Sequence, residues 1–135
     1  MTIELRNSDR LPTPPGYSHA SVGPPAGHVV HLAGQIGTLA DGTHVEGLAA
    51  QVAQAMRNLA DAIVGVGVSL EDLAKLNVYV VGWRSSMAPD LFAGLADARQ
   101  DHPIGLVPIT LVGVQSLFLD ESLVEIDGVA VVDAL

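Results

Sequence analysis

Apolar residues recur at intervals of three and four along residues 48–66, and this spacing predicts an amphipathic helix with one buried stripe. The stripe consists of Leu48, Val52, Ala55, Met56, Leu59, Ala62, Ile63 and Val66. Polar residues between them, such as Gln51 and Asn58, are predicted to lie on the solvent side. The same pattern, in a shorter form, predicts a second helix over Pro89–Gln100.

Segments rich in β-branched residues and bounded by Pro and Gly predict the strands. These segments are Ile3–Arg6, Tyr17–Val22, His28–Ala33, Leu76–Val81, Val107–Leu117 and Leu123–Val132. Only the short segment 23–27 separates the second from the third, so a hairpin is predicted there. Ser69–Asp72 has the pattern of a short capped turn. The order of elements predicts an α+β fold with two helices on one face of a mixed sheet.

Composition adds an expectation of self-association. The 135 residues are the size of one domain, so residues 1–135 are interpreted as a single unit. Hydrophobic residues make up 49% of the chain and charged ones only 16%. A small monomer has proportionally much surface to cover with polar groups, and apolar patches left exposed are usually partner surfaces. The uncovered sheet face would pack in a closed homo-oligomer.

The net charge and the N-terminal sequence limit which classes of partner and which cellular location are expected. The net charge is −9, and the six Lys and Arg residues are scattered along the chain. Nucleic-acid binding draws its affinity from clustered basic residues, so no nucleic-acid partner is expected. The sequence also shows no signal-peptide pattern and no apolar run long enough to cross a bilayer, which predicts a cytoplasmic protein without membrane attachment.

Candidate chemistry is sparse. There is no cysteine, which excludes disulfides and thiolate sites. His28 and His31 are three apart in a predicted strand and would point to opposite faces, so neither a metal site nor a cofactor is expected. A Gly-x-Ser-x-Gly elbow and a phosphate-binding glycine loop are both missing. Glu125 and Asp127 share one face of the last strand. They are interpreted either as a solvated face or as carboxylates lining a cleft between subunits.

Four segments in order resemble the RidA family, also called YjgF. They are Gly16-Tyr-Ser-His-Ala20, Leu32-Ala-Gly-Gln-Ile36, the stretch from Gln51 to Val81 and the closing Leu123-Val-Glu-Ile-Asp-Gly-Val-Ala-Val131. The resemblance implies a chorismate-mutase-like fold and a homotrimer with three clefts between subunits. It also implies an imine or enamine deaminase in which a Pro-x-Arg motif binds the substrate carboxylate and a glutamate on the last strand positions water.

The chain departs from this family pattern at the arginine. The matching segment is Val107-Pro-Ile-Thr-Leu-Val-Gly-Val114. Counting back from Glu125 without a gap places Thr110 at the arginine position, whereas apolar alternation places Ile109 there and is preferred. Neither side chain can imitate the two parallel hydrogen bonds of a guanidinium. Arg84 and Arg99 are the arginines that could reach over from the second helix.

The resemblance implies roles for the remaining site residues. Glu125 would hold the attacking water and Tyr17 would line the cleft, as the catalytic pair. On a regular strand His19 shares a face with Tyr17, so it could replace the arginine as a donor. Gly34 would allow close backbone approach of the ligand, beside Ala33 in place of the family's serine. The predicted function is a trimer that binds a neutral or cationic apolar small molecule and hydrolyses an imine or enamine. The alternative is a non-catalytic binding or regulatory protein. A ribonuclease, a label that some relatives carry, conflicts with the acidic charge.

Overall fold

The computed structural model describes residues 3–135 of the chain. The helices are α1 (Leu48–Gly65) and α2 (Ala88–Asp101). The strands are β1 (Glu4–Arg6), β2 (Ala20–Val22), β3 (His28–Gln35), β4 (Leu73–Val81), β5 (Ile109–Val114) and β6 (Val124–Val132). Both predicted helices and all six predicted strands are therefore present, although β2 and β5 are shorter than predicted.

The main sheet has the strand order β3-β6-β4-β5. β4 and β5 are parallel, whereas β6 is antiparallel to both β3 and β4. α1 and α2 pack against each other and against the same face of this sheet. This confirms the predicted α+β fold with two helices on one face of a mixed sheet.

The core lies between that face and the helices. Alternate residues of β4 and β6, such as Val78 and Ile126, are fully buried against Met56 and Leu59 of α1. Full burial of a side chain of this size stabilises the fold by about 1.5–3 kcal/mol. The strict alternation in β4 and β6 leaves every second side chain on the opposite face, which we call the open face.

The predicted hairpin of β2 and β3 is wrong. β2 pairs with β1, and the Ser21 hydroxyl donates to the Ala74 carbonyl at the start of β4 (2.6 Å). β3 instead pairs with β6, which separates it from β4. The connecting segment 23–27 crosses the sheet over Val131, and a Cβ at Gly23 or Gly27 would lie 2.8 or 2.9 Å from Val131 Cγ1. Gly23 and Gly27 therefore allow the chain to pass close to Val131, and they do not form the tight turn of a hairpin.

Two amide side chains of α1 that were predicted to face solvent are directed inward. Gln51 is buried, and its Nε2 donates to the carbonyls of Val45 (3.1 Å) and Glu121 (3.0 Å) while its Oε1 accepts from Leu123 N (2.8 Å). Asn58 Nδ2 donates to two carbonyls of the segment 36–38. The prediction failed because backbone groups of packed loops, not water, satisfy these amides.

The predicted capped turn at 69–72 is confirmed, with Ser69 and Asp72 forming a capping box. Within residues 3–135, no helix combines the length and the apolarity that a membrane span requires.

Candidate functional site

The open face is a mixed surface of valines and polar side chains. Its rows contain Lys75, Asn77 and Tyr79 of β4, Thr110 and Val112 of β5, Glu125 and Asp127 of β6, and Val29 of β3. Val29 and Val112 are 58% and 43% exposed, so the face remains largely uncovered in one chain. Valines left exposed on a sheet face are typical of a surface that associates with another subunit.

Glu125 lies against the backbone of β3 at an irregularity in the strand. The register between β3 and β6 shifts between Leu32 and Gln35, so Ala33 and Gly34 form a bulge. A Cβ on Gly34 would lie 2.7 Å from Glu125 Cδ, a distance that real side chains do not show. The bulge and the missing side chain together let the carboxylate contact the main chain. Glu125 and Gly34 are thus brought together in one chain, and Ala33 lies next to Gly34 in the bulge.

Tyr79 is a neighbour of Glu125 that sequence reasoning missed. It is directly opposite Glu125 in the antiparallel pairing of β4 and β6. Burial raises the pKa of the Tyr79 phenol, and the negative charge and hydrogen bond of Asp127, then the charge of Glu125, raise it further. Asp127 also accepts a hydrogen bond from Asn77 Nδ2 (2.8 Å). Tyr79 therefore stays a neutral phenol, able to donate a hydrogen bond beside two carboxylates.

The two candidates for the arginine position lie on opposite faces of the sheet. Thr110 is on the open face, where it pairs with Asn77 across the parallel ladder and its hydroxyl accepts from Lys75 Nζ (2.5 Å). Ile109 packs towards the helices. Thr110 therefore shares a face with Glu125, and Ile109 does not. Lys75 is a cation beside Thr110, one of the two candidate arginine positions, and it was not predicted because the β4–β5 pairing cannot be read from the sequence.

Ile109 and Tyr17 instead line a pocket between α2 and β5, which we call the α2–β5 pocket. Its wall also includes Trp83, Leu91, Phe92 and Leu111. Tyr17 is 38% exposed and Phe92 54% exposed, so they form its rim. Tyr17 belongs to a bent segment before β2 rather than to the predicted strand Tyr17–Val22.

The hydrogen bonds of His19 fix the position of its ring and decide which ring nitrogen can donate. Its Nδ1 accepts a hydrogen bond from Ser8 N (3.0 Å), and its own backbone N–H donates to Asn7 Oδ1 (2.9 Å). Its ring also makes an edge contact with Tyr17, with centroids 6.4 Å apart. Because Nδ1 is the acceptor, the neutral ring carries its proton on Nε2. That nitrogen is the donor with which His19 could meet a ligand.

A single chain does not bring all the predicted site residues together. Glu125, Gly34 and Thr110 are on the open face, whereas Ile109 and Tyr17 line the α2–β5 pocket on the helix-covered side. The two arginines suggested as replacements do not join either group. Arg84 is an exposed residue before α2. Arg99 is half-buried, which lowers the pKa of its guanidinium, and its Nε and Nη2 have no hydrogen-bond partner in the described chain.

Ser122 and His44 are in hydrogen-bond contact, but the serine is not placed to act as a nucleophile. Ser122 Oγ lies 3.1 Å from His44 Nε2, and Glu121 Oε1 lies 3.7 Å from His44 Nδ1. Ser122 is only 2% exposed, so a substrate has no access to its hydroxyl. In the part of the chain that the structure describes, no three His, Asp or Glu side chains are grouped closely enough to hold a metal ion.

The two-helix, mixed-sheet fold is shared by solved structures. YyfB from Yersinia pestis, a protein of unknown function of the conserved Rid protein family, is 28% identical with a TM-score of 0.83, covering 96% of this chain and 98% of that one. Rv2704 from Mycobacterium tuberculosis, of the YjgF/YER057c/UK114 family, is 25% identical with a TM-score of 0.61, covering 97% and 100%. E. coli TdcF with bound serine is 21% identical with a TM-score of 0.67, covering 83% and 91%, and shows the fold alone.

The sequence profile of the family described as Endoribonuclease L-PSP matches residues 8–132. The chain therefore belongs to this family, the Rid or YjgF family. Among curated proteins, no sequence matches the chain.

Proposed function

We propose that the chain forms a homotrimer whose three clefts bind a small molecule and hydrolyse its imine or enamine group. The observation that carries the proposal is the placement of Glu125 of β6 against the bulge of β3, on the open face next to Tyr79. The exposed valines of the open face, Val29 and Val112, support the trimer, and family membership supports both parts.

In the proposed reaction, Glu125 accepts a proton from water as the water oxygen bonds to the imine carbon. The C=N bond becomes a single bond, and the nitrogen takes up the proton that Glu125 received from water, which gives a carbinolamine. The hydroxyl proton of the carbinolamine then passes to the nitrogen as the C–N bond breaks, so that a carbonyl compound and ammonia leave. An enamine enters the same sequence after protonation at carbon gives its imine. General-base assistance of this kind typically contributes about a hundredfold to ten-thousandfold to the rate.

Each cleft would combine residues of two copies, because Tyr17 and Glu125 lie on opposite faces of the sheet in one chain. Glu125 and Gly34 of one copy would face Tyr17 of the next. Thr110 in place of the arginine removes the bidentate partner of a carboxylate, so the preferred ligand is expected to be neutral or cationic near its reacting carbon. The absence of that arginine also supports the second candidate, a trimer that binds the ligand without turnover.

The first test is light scattering, which should give about three times the chain mass. Glu125→Gln should then retain ligand affinity and lose about a hundredfold or more of imine turnover, measured as ammonia release. Unchanged turnover in an intact Glu125→Gln trimer would exclude the proposed mechanism. Binding without any turnover in the unmodified protein would favour the binding protein over the enzyme.

A mixing experiment tests whether two copies build one site. Glu125→Gln and Tyr17→Ala chains, each weakly active alone, are unfolded and refolded together. In randomly mixed trimers about a quarter of the clefts receive Glu125 and Tyr17 both unmodified, so about a quarter of the activity should return. No recovery in properly mixed trimers would place both residues in the same copy's site.

A further inference from the structure

The α2–β5 pocket is an apolar cavity of about 270 Å³. Its floor is formed by side chains of β4 and β5, among them Ile109 and Leu111, and one wall by Leu91 of α2. Trp83 and the rim residues Tyr17 and Phe92 supply three aromatic rings. No Lys, Arg, Asp, Glu or His lines this pocket in the described part of the chain.

We propose that the α2–β5 pocket is a binding subsite for an uncharged ring or branched aliphatic group of the ligand. The inference rests on the proposed function only in assigning this group to the same molecule that reacts at Glu125. Tyr17 connects the α2–β5 pocket with the site at Glu125, since it lines the pocket and is also the residue that the neighbouring copy would present to the cleft.

The size of the pocket decides which part of a ligand it takes. Cavities that hold a whole drug-sized ligand usually measure about 300–1,000 Å³. An engineered cavity of about 150 Å³ lined by Leu, Ile and Phe is sufficient for benzene. A volume of about 270 Å³ therefore fits one ring with a short substituent, and the remainder of the ligand would lie outside the rim.

The apolar walls of the pocket favour a ligand group without charge. A carboxylate or ammonium entering the pocket would lose its water without meeting an opposite charge, which is strongly unfavourable. An apolar ring gains from leaving water and from contact with the faces and edges of Trp83, Tyr17 and Phe92. The pocket thus discriminates in favour of uncharged apolar groups.

Trp83 makes the proposal measurable, because it is the only tryptophan of the chain. Cyclohexanol is titrated into the intact protein while the tryptophan emission is followed, with cyclohexanecarboxylate as the charged control of the same ring. Cyclohexanol should give a saturable change in emission, and the carboxylate should bind at least about tenfold more weakly. No saturable response to cyclohexanol, or equal responses to both compounds, would overturn the proposal.

A matched pair of variants locates the response. Ala88 lines the pocket, whereas Ala93 is an exposed residue of the same helix. Ala88→Leu should weaken cyclohexanol binding about tenfold or more by filling the cavity, and Ala93→Leu should leave it unchanged. Equal binding by both folded variants would contradict the assignment. If Ala88→Leu fails to fold, the comparison of the two compounds on the unmodified protein still decides.

Glu125→Gln separates this inference from the proposed function. Its trimer should bind cyclohexanol as the unmodified protein does, since Glu125 does not line the α2–β5 pocket. In the unmodified protein, imine turnover without an emission response to cyclohexanol would refute the subsite alone. If cyclohexanol still changes the tryptophan emission but neither the unmodified protein nor its variants turn over an imine, the proposed reaction alone would be refuted.

Discussion

Glu125 and Gly34 are in contact across β6 and β3, and the contact exists only because residue 34 has no side chain. The carboxylate occupies the space where a Cβ would be. The β3 bulge that contains Gly34 sets the position of the proposed water-binding carboxylate. The site therefore depends on a backbone irregularity as much as on the acidic residue.

Gly34→Ala is expected to displace the Glu125 side chain. We expect a loss of about 1–3 kcal/mol in the free energy of unfolding, or a shift of the carboxylate that spares stability and lowers turnover. Urea unfolding at one fixed protein concentration and ammonia release measure the two effects. Gly42→Ala provides a strain control. Its added Cβ would meet no neighbouring atom, and its backbone has a φ of 87°, so a loss of stability there would come from backbone strain alone. If Gly34→Ala changed neither the free energy of unfolding nor the turnover, the contact between Gly34 and Glu125 would matter for neither stability nor function.

Restoring the arginine should have opposite results at adjacent residues. Thr110→Arg places a guanidinium on the open face and should improve binding of a 2-oxoacid, a stable carboxylate ligand, about tenfold to a hundredfold. Ile109→Arg instead puts a charge into the α2–β5 pocket and should lower the free energy of unfolding by several kcal/mol. Isothermal titration and urea unfolding check the pair. A stable Ile109→Arg protein with improved carboxylate binding would reverse the assignment of the two faces.

Gln51 should be one of the most sensitive polar residues for stability. Gln51→Leu keeps a similar volume but leaves the carbonyls of Val45 and Glu121 and the N–H of Leu123 without their partner. We expect a loss of roughly 3 kcal/mol in the free energy of unfolding. Gln100→Leu, at an exposed position of α2, should stay within about 0.5 kcal/mol. Similar values for both variants would mean that the buried amide does not hold the two loops.

The raised pKa of Tyr79 predicts a specific alkaline behaviour. The phenol of an unfolded chain ionises near its ordinary pKa of about 10. Because folding raises the pKa of Tyr79, the related stability is fully present below that pH and is lost as pH rises towards the folded value. The chain has two tyrosines, so Tyr79→Phe isolates the phenolate absorbance of the other. The difference titration should place Tyr79 above its ordinary pKa, and an ordinary or lower value would contradict the burial beside Asp127.

Both helices could be predicted from the sequence, because a repeat of three to four residues is a local property. Strand pairing could not. Nothing local indicates that β2 pairs with β1, or that the segment 23–27 crosses Val131. Tyr79 was missed for the same reason, since its place opposite Glu125 depends on the register of two strands that are far apart in the chain.

The arginine position illustrates what alternation can and cannot indicate. The alternation of Val112 and Val114 favoured Ile109, but the structure places Ile109 and Leu111 on the face covered by the helices and Val112 on the open face. This alternation therefore does not identify the residue that shares a face with Glu125. Thr110 meets that condition only after the pairing of β5 with β4 is known.

The parallel pairing of β4 with β5 has a consequence for how ligand preference can diversify. Two parallel neighbours need a long crossover, and here that crossover is the stretch 82–108, which contains α2. Apart from the segment around Tyr17, the α2–β5 pocket is built from this stretch and the strands it joins, while Glu125 and Gly34 lie outside it. Selection could therefore exchange the crossover, and with it the apolar group that the proposed subsite would accept, while Glu125 against the β3 bulge stays constant. Related chains that differ mainly within 82–108 are expected to share one reaction and to differ in the ligands that undergo it.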